Sequence, residues 1–397
     1  MENKENVIIL PKTSDQNLLA RYYSMADAFV ICSKRENFPT TCIEAQCCGT
    51  PVVGFDTGGT KETSIDVNKD DDFVPYGAVD ELADRINNKL NSEAVDVSEK
   101  AINLYSKENM GRRYIEEYDK GGHKERVLLI DVNCKGSSTG KIVYDLYSRL
   151  KSDGRKAAVC YGRGKALDEE GLYKFGLDWE TLVHAALARI SGYNGCFSPL
   201  STRRLIRYID EFDPDIIHIH ELHAYFVNIK PLLNHIKRKN IPVIWTFHCE
   251  YMYTGKCGHA FECKNYQKEC GNCPAVREYP KSLFLDKTRQ MLRAKKQLLA
   301  DLDFTIVTPS QWLADRVKTS FLKDKKLKVI HNGIDTSIFH PVDTADLRKE
   351  LGIPPENKVV LALAPDIMSE QKGGKWVLQL AEIMKDTNTT FVLVGKE

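Results

Sequence analysis

The sequence predicts an α/β protein of two domains, each built on a buried parallel sheet, and three observations carry that expectation. At 397 residues the chain is too long for one hydrophobic core and suits two of about 150–200 residues. Short apolar runs at 7–10, 28–31, 126–131, 243–247, 359–364 and 390–395 read as strands buried on both faces. Helix-length segments alternate with them, the pattern of strand–helix–strand units. Hydrophobic content of 42% with 28% charged residues excludes disordered and fibrous classes, and no apolar run is long enough to span a bilayer.

The chain starts with the short buried strand 7–10, a helix over 16–26, and the strand 28–31 that delivers the most informative stretch, residues 33–53. It reads as a loop carrying Glu36, a helix opening around Pro39, Thr40 and Thr41 and carrying Glu44, a stop at Gly49, and a buried strand from Val52. With Thr40 or Thr41 as N-cap, free amides and the positive dipole end lie beside the Glu36 loop, which is the geometry that binds phosphate. Carboxylates repel phosphate. Glu36 and Glu44 therefore make sense facing uncharged, hydroxyl-bearing parts of a ligand, such as the sugar and ribose of a nucleotide sugar; the plain alternative is a helix with two surface glutamates.

The spacing of Glu36 and Glu44, with Asn37-Phe38-Pro39 between them and Gly49-Thr50-Pro51-Val52-Val53 after them, resembles the signature of glycosyltransferase family 4. The resemblance implies a retaining enzyme of GT-B architecture, two facing Rossmann-like domains. The order of segments then looks rotated. After Gly58, Gly59 and Glu62 come a strand at 73–75, a helix over 79–90 and one over 98–118 that resembles the family's closing helix. Past a polar glycine joint at 121–124, the strand 126–131, the loop Gly136–Gly140 and a helix over 141–150 resemble the family's beginning. Residues 329–335 resemble its interdomain connection, and a strand at 359–364, Lys372-Gly373-Gly374 opening a helix, and a strand at 390–395 follow.

The implied domains are 1–120, the second part of the donor-binding domain with its closing helix; 121–124, a joint; 125–330, the acceptor-side domain; and 331–397, the first part of the donor-binding domain. This is a circular permutation, with family order 124–397 followed by 1–120; exchange of partial domains between two chains is the alternative.

Gly136 to Lys141 fails the phosphate-loop pattern of nucleotide hydrolases, having three residues between its glycines and Ile142 after the lysine. A small-residue loop between strand and helix still lets backbone approach a phosphate, and the resemblance places Gly136 at the donor diphosphate; a tight turn is the other reading. His218 and His220 share one side of a strand and suit packing. His248, after the strand 243–247, matches the family histidine that contacts the donor sugar, with Cys249 where many members have Asp. Lys372 resembles the lysine that holds the donor diphosphate, its charge offsetting that of the leaving group. The arginine common several residues earlier has no counterpart in Ala364-Pro365-Asp366-Ile367-Met368. The resemblance thus gives His248 and Glu36 catalytic roles on the sugar, and donor-binding roles to Asn37, Phe38, Pro39, Thr40, Glu44, Gly136, Lys372 and Gly373. It implies no cofactor for catalysis.

Cys257, Cys263, Cys270 and Cys273 fall within 17 residues and could bind a structural zinc, though the first spacing is wider than the usual two to four residues and His259 could replace one ligand; free thiols or a disulfide are the other readings. Residues 124–330 hold 35 Lys and Arg against 23 Asp and Glu, a net +12 that the remaining −11 offsets to the overall +1. A basic domain suits an anionic partner, a membrane surface or a lipid-phosphate acceptor, or else attraction to the acidic domain. Without an export-signal pattern, twelve cysteines point to a reducing cytoplasm, at or near the inner membrane face. The resulting expectation is transfer of a sugar from a nucleotide-diphosphate sugar to a sugar or lipid-linked acceptor with retention, in cell-surface polysaccharide or glycolipid synthesis, without a nucleic-acid partner. A nucleotide-sugar epimerase or hydrolase and a catalytically silent engineered permutant are the alternatives.

Overall fold

The computed structural model describes residues 6–68, 72–93 and 95–396; residues 1–5, read above for an export signal, lie outside them. Thirteen strands run β1 Val7–Leu10, β2 Ala28–Ile31, β3 Val52–Phe55, β4 Phe73–Val74, β5 Arg126–Asp131, β6 Lys156–Tyr161, β7 Leu172–Lys174, β8 Ile216–Ile219, β9 Val243–Thr246, β10 Phe304–Thr308, β11 Lys326–Val329, β12 Lys358–Leu363 and β13 Thr389–Val394 among the described residues. The helices are α1 Gln16–Met25, α2 Thr40–Cys47, α3 Val79–Asn91, α4 Ser98–Tyr105, α5 Lys107–Tyr118, α6 Ser138–Ser152, α7 Asp178–Ser191, α8 Pro199–Phe212, α9 Ile229–Lys239, α10 Thr288–Ala300, α11 Gln311–Lys318, α12 Ala345–Glu350 and α13 Gly374–Ile383. They form two compact units, 1–109 with 332–397, and 110–331.

The first unit holds a parallel sheet in the order β1-β13-β12-β2-β3-β4. Val7 pairs with Phe391, Val360 with Ala28, and Phe29 with Val52. Counted from β12, through β13 and back to β1, this is the doubly wound order 3-2-1-4-5-6. One sheet is thus completed by strands that lie more than 300 residues apart in the sequence. Alternation along β12 sends Val359 and Leu361 to the face covered by α1, α2 and α4, and Val360 and Ala362 to the face covered by α3 and α13. Each fully buried side chain of this kind contributes roughly 1.5–3 kcal/mol.

The second unit repeats the plan with a parallel sheet ordered β11-β10-β9-β8-β5-β6-β7. Trp245, Phe226, Leu232 and Ile306 fill one side of it, and Val143, Leu146, Tyr147 and Tyr114 the other.

Four expectations need correction. The strand β1 is not buried on both faces: it pairs with β13 alone, and Ile9 is 36% exposed. The helix expected over 98–118 is two helices. Ser106 turns extended, and Tyr105 and Lys107 exchange backbone hydrogen bonds with Ile334 at 2.8 Å each, an interaction that competes with helix continuation. The helix read at 141–150 begins earlier, because the Ser137 hydroxyl caps it by accepting from the Gly140 N–H at 3.0 Å. Residues 110–118 belong to the second unit, where Met110, Tyr114 and Tyr118 pack on Val127, Leu129 and Ile142.

Candidate functional site

In the first unit the topological switch point lies between β12 and β2, from whose carboxyl ends α13 and α2 depart to opposite faces of the sheet. Crevices of this kind are where doubly wound sheets bind ligands. Three loops meet there. The Lys34 N–H donates to the Gln371 carbonyl at 2.8 Å, the Gly59 N–H to Glu36 at 2.9 Å, and the Thr57 hydroxyl to Ser33 at 2.7 Å. Gly373 caps α13 with φ +74°, and a Cβ there would stand 2.2 Å from the Cys32 carbonyl oxygen. Only glycine lets the loops approach so closely.

On this frame the Lys372 ammonium donates to Glu36 Oε1 at 2.6 Å, with the two side chains 28% and 16% exposed. The residues expected on the diphosphate and on the sugar are therefore partners of one another. Each neutralises the other while remaining open to a ligand.

The helix α2 differs from expectation at its start. Pro39, extended at φ −69° and ψ 120°, is the N-cap and Thr40 is already helical, so neither threonine caps the helix and its first turn takes no side-chain cap. Proline has no side-chain acceptor to offer. Asn37 and Pro39 are buried and Thr40 is half-buried. Phe38 is a core residue, 5% exposed with its ring edge-on to Tyr105, so its side chain does not suit the donor contact expected of it. Glu44 Oε2 accepts from the Tyr23 hydroxyl at 2.8 Å, which ties a carboxylate expected on the ribose to a fully buried tyrosine.

In the second unit, polar groups gather at the carboxyl ends of β5, β8 and β9. Asp131 is fully buried and accepts from the Glu221 N–H at 3.1 Å, the Asn133 N–H at 3.3 Å and the Thr139 hydroxyl at 3.2 Å. Burial lifts its carboxyl to about 7, against the pull of the Glu221, Val132 and Asn133 N–H groups, while the Glu221 charge adds a smaller rise. Gly136 is exposed, and its N–H is bonded to the Cys134 carbonyl at 2.8 Å, so this amide is not offered to a phosphate.

His218 is held from both sides, by the Tyr118 hydroxyl at 2.6 Å and by Thr246 Oγ1 at 2.8 Å, and so packs structurally. His248 Nε2 lies 2.9 Å from His220 Nδ1 with the rings 13° from parallel. Burial lowers both pKa values and keeps these rings neutral. Beside them the Cys249 thiol donates to Glu221 Oε2 at 3.2 Å, and His223 Nε2 stands 3.5 Å from the same oxygen. Glu221, His223 and Cys249 are the one metal-capable trio within 4.8 Å among the described residues. Sequence reasoning missed Asp131 and the partners of Glu221. The available signal was a carboxylate at or just beyond the end of an apolar strand. Cys257, Cys263, Cys270 and Cys273 lie in the loop between β9 and α10 and line one small cavity.

Residues 139–338, just over half of the chain, match the family model described as Glycosyltransferase Family 4, and residues 1–107 match that of Glycosyl transferases group 1. The order of the two matches, group 1 before Family 4, fits a permutation. Over 226 residues, 53% of the chain, it is 26% identical to 54% of WcaC from Escherichia coli (strain K12), named for glycosyl transfer in colanic acid biosynthesis. Over 54 residues, 14% of the chain, it is 46% identical to 13% of D-inositol 3-phosphate glycosyltransferase 2 from Catenulispora acidiphila. The chain thus spans about half the length of the first relative and about an eighth of the second. Among solved structures it resembles sucrose-phosphate synthase from Thermosynechococcus elongatus, at 13% identity and TM-score 0.38 over 68% of this chain and 70% of that one. It also resembles a glycosyltransferase from Rickettsia africae ESF-5, at 14% identity and TM-score 0.37 over 69% of each.

Proposed function

This chain belongs to Glycosyltransferase Family 4, and we propose that it moves a sugar from a nucleotide-diphosphate sugar to an acceptor hydroxyl with retention of configuration, in cell-surface polysaccharide or glycolipid synthesis. The observation that carries this reading is the Lys372–Glu36 pair at the switch point of a doubly wound sheet. A donor diphosphate takes the place of Glu36 at the Lys372 ammonium, and the released carboxylate accepts from hydroxyls of the sugar. Lys372 then offsets the charge that grows on the leaving diphosphate. The first turn of α2, without a side-chain cap, adds amide donors for the same phosphates. Retention needs no nucleophilic side chain if the leaving phosphate takes the acceptor proton while the oxocarbenium-like sugar is held.

The sheet order counted from β12 and the order of the two family matches support reading the chain as circularly permuted. A lipid-linked acceptor at the inner face of a membrane is supported by an apolar surface on the basic unit. Trp179, Leu182 and Ile190 of α7 are 55%, 73% and 54% exposed, and Phe284 in the adjoining loop 74%. The Leu283 N–H donates to the Arg189 carbonyl at 2.8 Å and joins the two segments, with Arg189 and Lys281 exposed beside them. Apolar and aromatic side chains beside cations suit an anionic lipid surface. No helix among the described residues is long and apolar enough to cross a membrane.

A thermal-shift panel with UDP, GDP, ADP and TDP and their common sugars tests the donor, since a ligand at 100 times its Kd adds about 2.7 kcal/mol. A shift with one base followed by acceptor-dependent turnover is the expected result. Product formed without any acceptor would replace this reading with an epimerase or hydrolase, and no shift in cooperatively melting protein would overturn it. Flotation with phosphatidylglycerol vesicles checks the surface, and Trp179→Glu with Phe284→Glu should abolish binding.

A further inference from the structure

We propose that Cys257, Cys263, Cys270 and Cys273 bind one zinc ion as four thiolates, a structural site that pins the loop between β9 and α10. Residues 247–287 contain only the two short 3-10 turns Tyr251–Tyr253 and Asn265–Gln267. Structureless connections beyond about 15 residues are uncommon in compact domains unless something else orders them. All four thiols line a single cavity of about 20 Å³, together with Thr254 and Lys256. That is room for one water-sized sphere, and so for one dehydrated cation. The Cys257 and Cys273 thiols hydrogen-bond each other, and Cys270 is close enough to Cys263 and Cys273 for their charges to act on it. No three of these sulfurs stand mutually within 4.8 Å. Zn–S bonds of about 2.3 Å would draw the two pairs together and release the thiol protons.

Charge supplies the second, independent argument. Two lysines are buried in this region, Lys256, which lines the cavity, and Lys295, bonded to the carbonyl of the cavity residue Thr254, 2% and 3% exposed. The Lys256 ammonium donates to the carbonyls of Val276, Glu278 and Pro280 at 2.6, 2.8 and 2.7 Å. That of Lys295 donates to the carbonyls of Tyr251 and Thr254 at 2.5 and 3.1 Å and lies 3.5 Å over the Tyr251 ring. Neither bonds to a carboxylate among the described residues; Asp286, near Lys256, accepts from the Cys273 N–H and the Thr288 hydroxyl. The direct partners of both ammonium groups are neutral carbonyls; the Glu278 and Asp286 carboxylates support the charge of Lys256, and burial pushes Lys295 down to about 7. Thiolate charge at Cys257 and Cys273 would favour the Lys256 ammonium, and at Cys249, Cys257, Cys270 and Cys196 that of Lys295. Zinc with four thiolates carries a net charge of about −2, which would favour the protonated form of both lysines. Thiolate ligands also select zinc over magnesium, calcium or manganese.

The test is elemental analysis of the full chain purified without chelator. One zinc per chain is expected, retained in Cys196→Ser, whose thiol lies outside the cavity, and lost at least tenfold in the Cys257→Ser/Cys273→Ser double variant. Should that variant not fold, Co²⁺ exchanged into the unaltered chain gives the readout: visible d–d bands with sulfur-to-cobalt charge transfer in the near ultraviolet. Zinc-free protein that melts cooperatively and stays colourless with Co²⁺ would overturn the site. So would zinc retained by the folded double variant, or peptide mapping without reductant that finds the four cysteines in two disulfides.

Discussion

Lys372 Nζ and Glu36 Oε1 lie 2.6 Å apart across 336 residues of sequence. With both side chains partly exposed, the pair is worth at most about 1 kcal/mol of stability. Its value to catalysis is larger, because charge that develops on a leaving diphosphate is met by a cation already in place. Lys372→Ala should lower kcat/KM by about 10²–10³, or roughly 2.7–4 kcal/mol, and Glu36→Gln should fall in the same direction. Urea midpoints of both should stay close to that of the unaltered chain. Steady-state kinetics with unchanged turnover would remove both residues from the site.

Gly373→Ala places a Cβ against the Cys32 carbonyl in left-handed backbone, and the loss should be about 1–3 kcal/mol. Gly352 has a similar φ of +65° with nothing within 4 Å of its would-be Cβ, so Gly352→Ala should cost about 1 kcal/mol or less. Urea denaturation of the two variants separates close approach from backbone strain.

The Asp131 carboxyl titrates at about 7 in the folded chain, against 3.8 for a free aspartate, with Glu221, Asn133 and Thr139 around it. Between those values the folded state holds a proton that the unfolded state has lost. This group therefore makes stability fall as pH rises from about 4 to about 7, and the full cost, on the order of 4 kcal/mol at most, applies above that range. Asp131→Asn should flatten the decline, gaining relative to the unaltered chain at pH 8 and not at pH 4. Thermal melts across that range read the difference; parallel curves would contradict it.

Glu250 is fully buried and accepts from the Arg316 guanidinium, the Tyr253 hydroxyl at 3.0 Å and the Ala260 N–H at 2.6 Å. Removing it leaves a largely buried cation unpaired, so Glu250→Ala should destabilise by about 3–5 kcal/mol. The Glu250→Ala/Arg316→Met double variant should recover part of that loss in the same denaturation series.

Most of the strands were legible as short apolar runs, whereas β6, β7, β10 and β11 were not read from the sequence. The stretch 33–53 was legible for another reason: its loop, helix and strand follow one another directly, and local spacing fixes their arrangement. What stayed hidden depends on residues far away. The break at Ser106 comes from backbone pairing with Ile334, and the tether on Glu44 comes from Tyr23; nothing in the local sequence announces either. The capping error at Thr40 arose from side-chain preference alone, whereas Pro39 takes the cap position by its fixed φ. The neutral, stacked His220 and His248 were beyond reach for the same reason, since they become neighbours only when β8 and β9 pair.

The pairing of β1 with β13 and of β2 with β12 sets a schedule for synthesis. A ribosome makes β1 to β4 first, then the whole of 110–331, and only afterwards the two strands that the first four need beside them. The 110–331 unit can fold as it emerges. At about 5–20 residues per second, the earlier segment waits roughly 14–57 s, until β13 is complete, with unpaired strand edges and half a core. Nascent-chain aggregation, protease sensitivity and chaperone demand should therefore concentrate in residues 6–109, however stable the finished protein is.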